Sequence, residues 1–280
     1  MLLDAHFHPL SISSSASTST DNCTHSKTVI EGVGASACPQ EWGKLRQWSC
    51  QYRQPFVLGL HPWLAETLAT DPQGETKLQS YLHSLENWLN SFPYPCAIGE
   101  IGFDKVHSQQ PNFAWQHKLF TFQYQLARKY ALPMVIHCVK SYGHLFNAFS
   151  ELKEPLQKSL IHAFWGAPEL ASRLIKLNFY ISLNSKLLIK ASTTAADTER
   201  QKLASLAKVI PLSKLLLESD APWGASSSDL LRELAIFLAP YWSVSPTQLQ
   251  EICSRNLHLF YNLSTDKKET LPKKETDCHF

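Results

Sequence analysis

Eight short apolar runs punctuate the 280 residues of this chain, and six of them lead straight into a histidine or an acidic residue. The runs cover residues 2–4, 28–33, 56–60, 97–100, 134–137, 159–162, 179–183 and 215–218. Between most of them the pattern is helical. Leu82, Leu85 and Leu89 recur on one helix face, and Trp115, Leu119, Phe122 and Leu126 on another. Pro111 suits the first turn of the second of these helices, and Pro133 marks the entry to a strand. Strands that alternate with helices pair in parallel, because each crossover returns the chain to the same end. A TIM (β/α)8 barrel is expected; a typical one has about 250 residues. The rival is a doubly wound open sheet. No G-x-G-x-x-G follows a strand, which weakens the dinucleotide-binding version of that fold.

Two stretches depart from the alternation. Residues 11–26 are rich in Ser and Thr and read as a loop, where a βα unit normally carries its first helix. Residues 265–280 are charged and polar and read as a disordered tail, which leaves a single barrel domain over residues 1–264.

In a barrel of this kind, chemistry sits where strands end and βα-loops begin. His6 and His8 follow the first run, His61 the third, Glu100 the fourth, His137 the fifth, His162 the sixth and Asp220 the eighth. Each is a potential metal ligand. On an extended strand positions i and i+2 share a side, so His6 and His8 can reach one cation. A single histidine after a strand is usually a hydrogen-bonded core or loop residue; the joint pattern is what points to a metal centre. Several imidazoles with two carboxylates suit a pair of divalent ions, Mg, Mn or Zn. Glu100 has two oxygens and can bridge such a pair, and Asp220 can accept a proton from an activated water. Lys105, Lys140 and Lys186 also follow strand ends, where they can hold phosphates. Trp63 and Trp165 can stack on an unpaired base. Glu218 reads as a residue that orients a loop or ligand.

Charge excludes one class of function. Lys plus Arg number 26 against 24 Asp plus Glu, so the chain is no polyanion-coating protein, and a nucleic-acid role needs local charge or bound metal. Seven scattered Cys without a C-x-x-C pair fit reduced thiols in a cytoplasm. Neither a signal peptide nor a membrane-spanning run is evident. A cytoplasmic monomer is expected.

At these residues the chain resembles the TatD family of metal-dependent deoxyribonucleases. The matching segments are Asp4-Ala5-His6-Phe7-His8, Gly59-Leu60-His61-Pro62 and Ala97-Ile98-Gly99-Glu100-Ile101-Gly102-Phe103-Asp104. They continue through Leu132-Pro133-Met134-Val135-Ile136-His137-Cys138, His162-Ala163-Phe164-Trp165-Gly166 and Leu216-Leu217-Glu218-Ser219-Asp220-Ala221-Pro222, and end with Arg255-Asn256-Leu257-His258-Leu259-Phe260. The resemblance implies that His6, His8 and Asp220 bind one metal, that His137 and His162 bind a second, and that Glu100 bridges them. It places His61 and Asp104 behind the ligands or on the substrate side. It implies a DNA exonuclease acting on single strands or DNA ends, with RNA cleavage or removal of D-amino acids from tRNA as alternatives, since two metals polarise a carbonyl as well as a phosphoryl oxygen. A barrel that only binds nucleic acid or a partner is a further reading, and the intact ligand set argues against it. The family's usual Ser-Phe-Ser-Gly after the sixth-strand histidine is here Ala163-Phe164-Trp165-Gly166, and its basic residue two places after the fifth-strand histidine is here Val139, followed by Lys140. The ligand pattern is therefore kept while the substrate-side pattern departs.

Overall fold

A computed structural model of the chain describes residues 3–9, 32–91, 95–153, 156–191, 196–221 and 227–263. The Ser/Thr-rich stretch at 11–26, with the question of a helix after the first strand, lies outside these residues, as does the polar tail.

The strands are β1 (Asp4–Phe7), β2 (Gly32–Ala35), β3 (Phe56–Leu58), β4 (Pro95–Asp104), β5 (Met134–Val139), β6 (Ser159–Ile161), β7 (Tyr180–Asn184) and β8 (Leu215–Glu218). They form one sheet in sequence order, each parallel to the next. The helices are α1 (Trp42–Tyr52), α2 (Leu64–Thr70), α3 (Gly74–Ser91), α4 (Phe113–Lys129), α5 (Tyr142–Leu152), α6 (Pro168–Lys176), α7 (Lys186–Ala191), α8 (Ala196–Val209), α9 (Ser227–Leu238) and α10 (Pro246–Tyr261). Just past β8 and β1 the sheet closes on itself. Asp220 N donates to His6 O at 3.1 Å and His8 N to Ala221 O at 3.0 Å. Asp4 strengthens the seam, accepting from Ser219 N at 3.0 Å and Ser219 Oγ at 2.5 Å. The result is the TIM barrel that the alternation predicts.

Parity along each strand separates two cores. Inside the barrel, Ala5, Val33, Ala35, Val57, Ala97, Val135, Leu160, Tyr180 and Leu216 form one buried cluster. Outside, Leu58, Ile98, Ile101, Met134, Ile136, Ile161, Ile181 and Leu217 meet the helices in a larger one. Helix α10 supplies Leu257, Phe260 and Tyr261 to the inner cluster, and Tyr261 Oη donates to Ala5 O at 2.9 Å. Lys158, just ahead of β6, reaches Leu259 O at 2.8 Å, which places α10 across the amino ends of the strands. One end of the barrel is thereby plugged and the other is left for chemistry. Among the described residues no helix is long and apolar enough to cross a membrane.

Several boundaries differ from those read in the sequence. Strand β1 begins at Asp4, so His6 lies within the strand, and β4 runs on to Asp104, so Glu100 lies near its middle. Pro111 precedes α4, which Asn112 caps by accepting from Trp115 N at 3.1 Å. The face of α4 turned to the core is Gln116, Leu119, Phe120, Gln123, Tyr124 and Ala127, while Trp115, Phe122 and Leu126 are only partly buried.

Candidate metal centre

Two register shifts aim the central side chains. On β4, Ile98 pairs with Met134 and Ile101 with Ile136, so three steps on one strand match two on its neighbour. A regular strand would put Ala97 and Glu100 on opposite faces. The extra residue of this bulge turns Glu100 to the inside, above Ala97, and Gly102 and Asp104 follow it there. On β1, Asp4 pairs with Gly32 and Phe7 with Gly34, again three steps against two. Ala5 and His6 therefore both face inward, His8 follows, and Asp4 turns to the seam with Ser219. On β5 to β8 simple alternation suffices. His137 follows Val135, His162 follows Leu160, Asn184 follows Tyr180 and Ser182, and Asp220 follows Leu216 and Glu218.

Glu100 is only 2% exposed and stands at the middle of the cluster. Its Oε1 lies 3.3 Å from His6 Nε2 and 3.4 Å from His8 Nε2. Its Oε2 lies 2.7 Å from His162 Nε2, 3.4 Å from His137 Nδ1 and 3.5 Å from His61 Nε2. Burial alone would raise this carboxyl, but the imidazoles of His162, His6 and His137 outweigh it and hold Glu100 well below the usual carboxylate range. Asp220 closes the group with Oδ1 3.7 Å from His8 Nε2, while its Oδ2 pairs with Lys186 Nζ at 2.5 Å. It too is held low against burial, by His8, His162, His6 and Lys186.

Hydrogen bonds on the outer side of the rings fix which nitrogen faces inward. His137 Nε2 lies 2.9 Å from Asp104 Oδ2. Asp104 also accepts from Trp63 Nε1 and from the backbone of Val106, and these bonds with His137 keep its carboxyl low despite burial. Burial would lower the pKa of His137, but Asp104 and Glu100 outweigh it and raise it; when the ring gives up its inner proton, the one held on Nε2 by Asp104 remains and Nδ1 offers a lone pair to the centre. Glu218 stands behind His162, with Oε1 3.5 Å from Nδ1, although Nδ1 makes no hydrogen bond. Glu218 is itself pinned by Ala163 N at 2.7 Å and Ser182 Oγ at 2.6 Å. His137 Nδ1 and His162 Nε2 then face each other at 3.2 Å beside Glu100 Oε2. With both rings neutral, these atoms are three acceptors converging at that range, an arrangement suited to a cation between them. His6 adds a second sign: it is fully buried, and neither ring nitrogen has a hydrogen-bond partner, although Nε2 lies beside Glu100. Such a donor set fits a divalent transition metal or Mg. Groups able to hold an ion are His6 with His8 and Glu100, His6 with His162 and Asp220, and His61 with Glu100 and His137.

For His61 the hydrogen bonds argue against ligation. Burial lowers its pKa to about 4, so the ring is neutral and carries one proton. Trp63 N donates to His61 Nδ1 at 3.3 Å, which puts that proton on Nε2, facing Glu100. His61 thus presents a donor to the centre. Asp104 is buried behind His137. Lys105 and Lys140 are exposed at the ends of β4 and β5. Trp165 is half-buried, with Lys202 Nζ 4.3 Å above its ring and 3.0 Å from its carbonyl oxygen.

Two residues that sequence reasoning passes over hold the strand ends. Gln123 Oε1 accepts from Leu60 N at 2.6 Å and its Nε2 donates to Leu60 O at 3.0 Å. Gln116 does the same at Asp104, with both bonds at 2.9 Å. Each amide replaces one neighbouring backbone unit, and together they fix the segments that carry His61 and Asp104. The pairing of His162 with Glu218 has its own test. Replacing Glu218 by Gln should cost roughly 10–100-fold in metal affinity, read by titrating metal into the chelator-stripped protein; unchanged affinity would show that Glu218 only braces the loop.

The closed parallel barrel gathers imidazoles and carboxylates at the carboxyl ends of its strands, in groups that could hold a metal ion. The chain belongs to the TatD related DNase family, whose model matches residues 3–262. It is 28% identical over 166 residues to the uncharacterized metal-dependent hydrolase YjjV of Escherichia coli K12, covering 59% of this chain and 57% of that protein. It is 26% identical over 170 residues to Deoxyribonuclease Tat-D of Schizosaccharomyces pombe, covering 60% of this chain and 51% of that one. It is 28% identical over 169 residues to the human 3'-5' RNA nuclease TATDN2, covering 60% of this chain and 20% of that protein. The chain thus spans about half the length of the first two and a fifth of the third. The crystal structure of E. coli YJJV shares the fold, with a TM-score of 0.68 at 20% identity over 84% of this chain and 87% of that one.

Proposed function

We propose that the chain is a metal-dependent hydrolase that cuts phosphodiester bonds at the ends of single-stranded DNA, using a water activated by two divalent ions. The observation that carries this reading is the division of Glu100, with one oxygen beside His6 and His8 and the other beside His137 and His162. His6, His8 and Asp220 would hold one ion, His137 and His162 the other, and Glu100 both. A pair of divalent ions supplies Lewis acidity at the phosphoryl group and lowers the pKa of a water. The chain's own groups do the rest. Asp220, ionised and restrained by Lys186, takes the proton of the attacking water. His61 donates its Nε2 proton as a hydrogen bond to a phosphate oxygen. Lys105 and Lys140 meet the phosphates on either side, and Trp165 borders the strand's path. The names of the Tat-D and TATDN2 relatives support nucleic acid as substrate, and the second of them favours RNA as the alternative.

Metal analysis of the purified chain, with end-labelled single-stranded DNA, RNA and charged tRNA as substrates, tests the reading. Two ions per chain and shortening of DNA, abolished by chelator and restored by Mn or Mg, are expected. Shortening of RNA alone moves the substrate to RNA. Deacylation of tRNA without strand cleavage overturns phosphodiester hydrolysis.

A further inference from the structure

We propose that Trp63 and His107 form a stacking platform for the nucleobase attached to the phosphate at the metal centre. This rests on the nuclease reading above and adds to it the place where the base is gripped.

Trp63 is 40% exposed, although it stands two residues after His61, beyond the carboxyl end of β3. A single exposed aromatic ring is ordinary by itself; this one stands beside a buried charged cluster, packed against His61 and His107. The ring is also fixed. Its Nε1 donates to Asp104 Oδ2 at 2.8 Å, and its backbone N–H to His61 Nδ1 at 3.3 Å. The His107 ring lies parallel to it, at 4.3 Å between centroids and 11° between planes. His107 is held in turn, its backbone N–H donating to Asp104 Oδ1 at 3.0 Å. One carboxylate therefore holds the Trp63 ring and the His107 backbone, and the same carboxylate orients His137.

The position suits a base. The Trp63 ring centroid lies 4.3 Å from that of His61 and 6.0 Å from that of His137, so the platform adjoins the place where a phosphate would sit. Val106, next to His107 in the chain, is 56% exposed. A nucleotide offers the matching pair of features: an anion for the centre and, one sugar away, a flat apolar ring. Every base has such a face, so the platform grips without reading sequence. Because Trp63 is held before substrate arrives, little ordering remains to be done on binding.

The test uses the metal-loaded full chain and two end-labelled single strands that differ only in an abasic residue at the cleaved end. Wild type should prefer the strand with the base by roughly five- to a hundredfold in kcat/KM, mostly through KM. Trp63→Ala should shrink that preference towards one. Trp63→Phe, which keeps a ring but loses the bond to Asp104, should retain most of it, so an effect passed through Asp104 and His137 is told apart from stacking. Quenching of tryptophan fluorescence by a nucleoside monophosphate should be weaker in Trp63→Ala than in wild type. Equal cleavage of both strands by wild type, or a full preference surviving in a folded, metal-loaded Trp63→Ala, overturns the platform and leaves the nuclease reading standing. Metal-loaded wild type that cuts neither strand overturns the nuclease reading, and the platform with it.

Discussion

If Glu100 bridges two ions as proposed, replacing it by Gln should lower the metal content of the chain towards one ion and slow hydrolysis by about 10²–10³-fold. The amide has nearly the same size but no charge, and its nitrogen cannot ligate. The oxygen facing His6 and His8 and the one facing His137 and His162 can no longer both serve as ligands. Excess Mn or Mg should restore activity only in part, since mass action fills a weakened site but leaves its charge deficit. The barrel beneath is untouched, so the far-ultraviolet dichroism should stay that of the wild type. Metal analysis and a nuclease assay on one purified sample decide the matter. Full metal content with near-normal turnover would mean that Glu100 merely pairs with the surrounding imidazoles.

The largest loss of stability is expected from Gly102→Ala. Gly102 has φ +134°, which a residue with a β-carbon avoids, and a β-carbon built there would overlap the carbonyl oxygen of His137 on the neighbouring strand. Backbone strain and overpacking together should cost roughly 2–6 kcal/mol, seen as a lowered midpoint in urea. Gly43→Ala is the matched control. Gly43 lies in α1 with nothing within 4 Å of its added carbon, so alanine there should be neutral or stabilising by up to about 1 kcal/mol. Equal midpoints for the two variants would show that β4 and β5 can part at this point.

Much of this was legible in the sequence because two signals coincide. Strands β5 to β8 alternate regularly, so His137, His162 and Asp220 could be read as inward-facing by position alone. Strands β1 and β4 could be found but not aimed. Whether Glu100 faces in or out depends on one extra residue counted against a partner strand, and hydropathy carries no record of that pairing. Asp4 shows the same gap: it lies in the matching motif, yet its carboxylate serves the seam with Ser219. Gln116 and Gln123 were hidden for another reason. A polar residue on a helix reads as solvent-facing unless its partner is known, and their partners are backbone groups of other strands. The tautomer of His61 likewise depends on a bond from Trp63 that no spacing reveals.

The two glutamines also set a limit on the helix that carries them. They stand seven residues apart on α4, two helical turns and about 10.5 Å along its axis. That makes the helix a ruler with both ends hooked, one to the strand end before His61 and the other at Asp104. A single residue gained or lost between the hooks would swing one of them by about 100° around the axis and release its strand. Loops at the barrel mouth can change length freely by comparison. Between positions 116 and 123 the gene can change its letters but not their number.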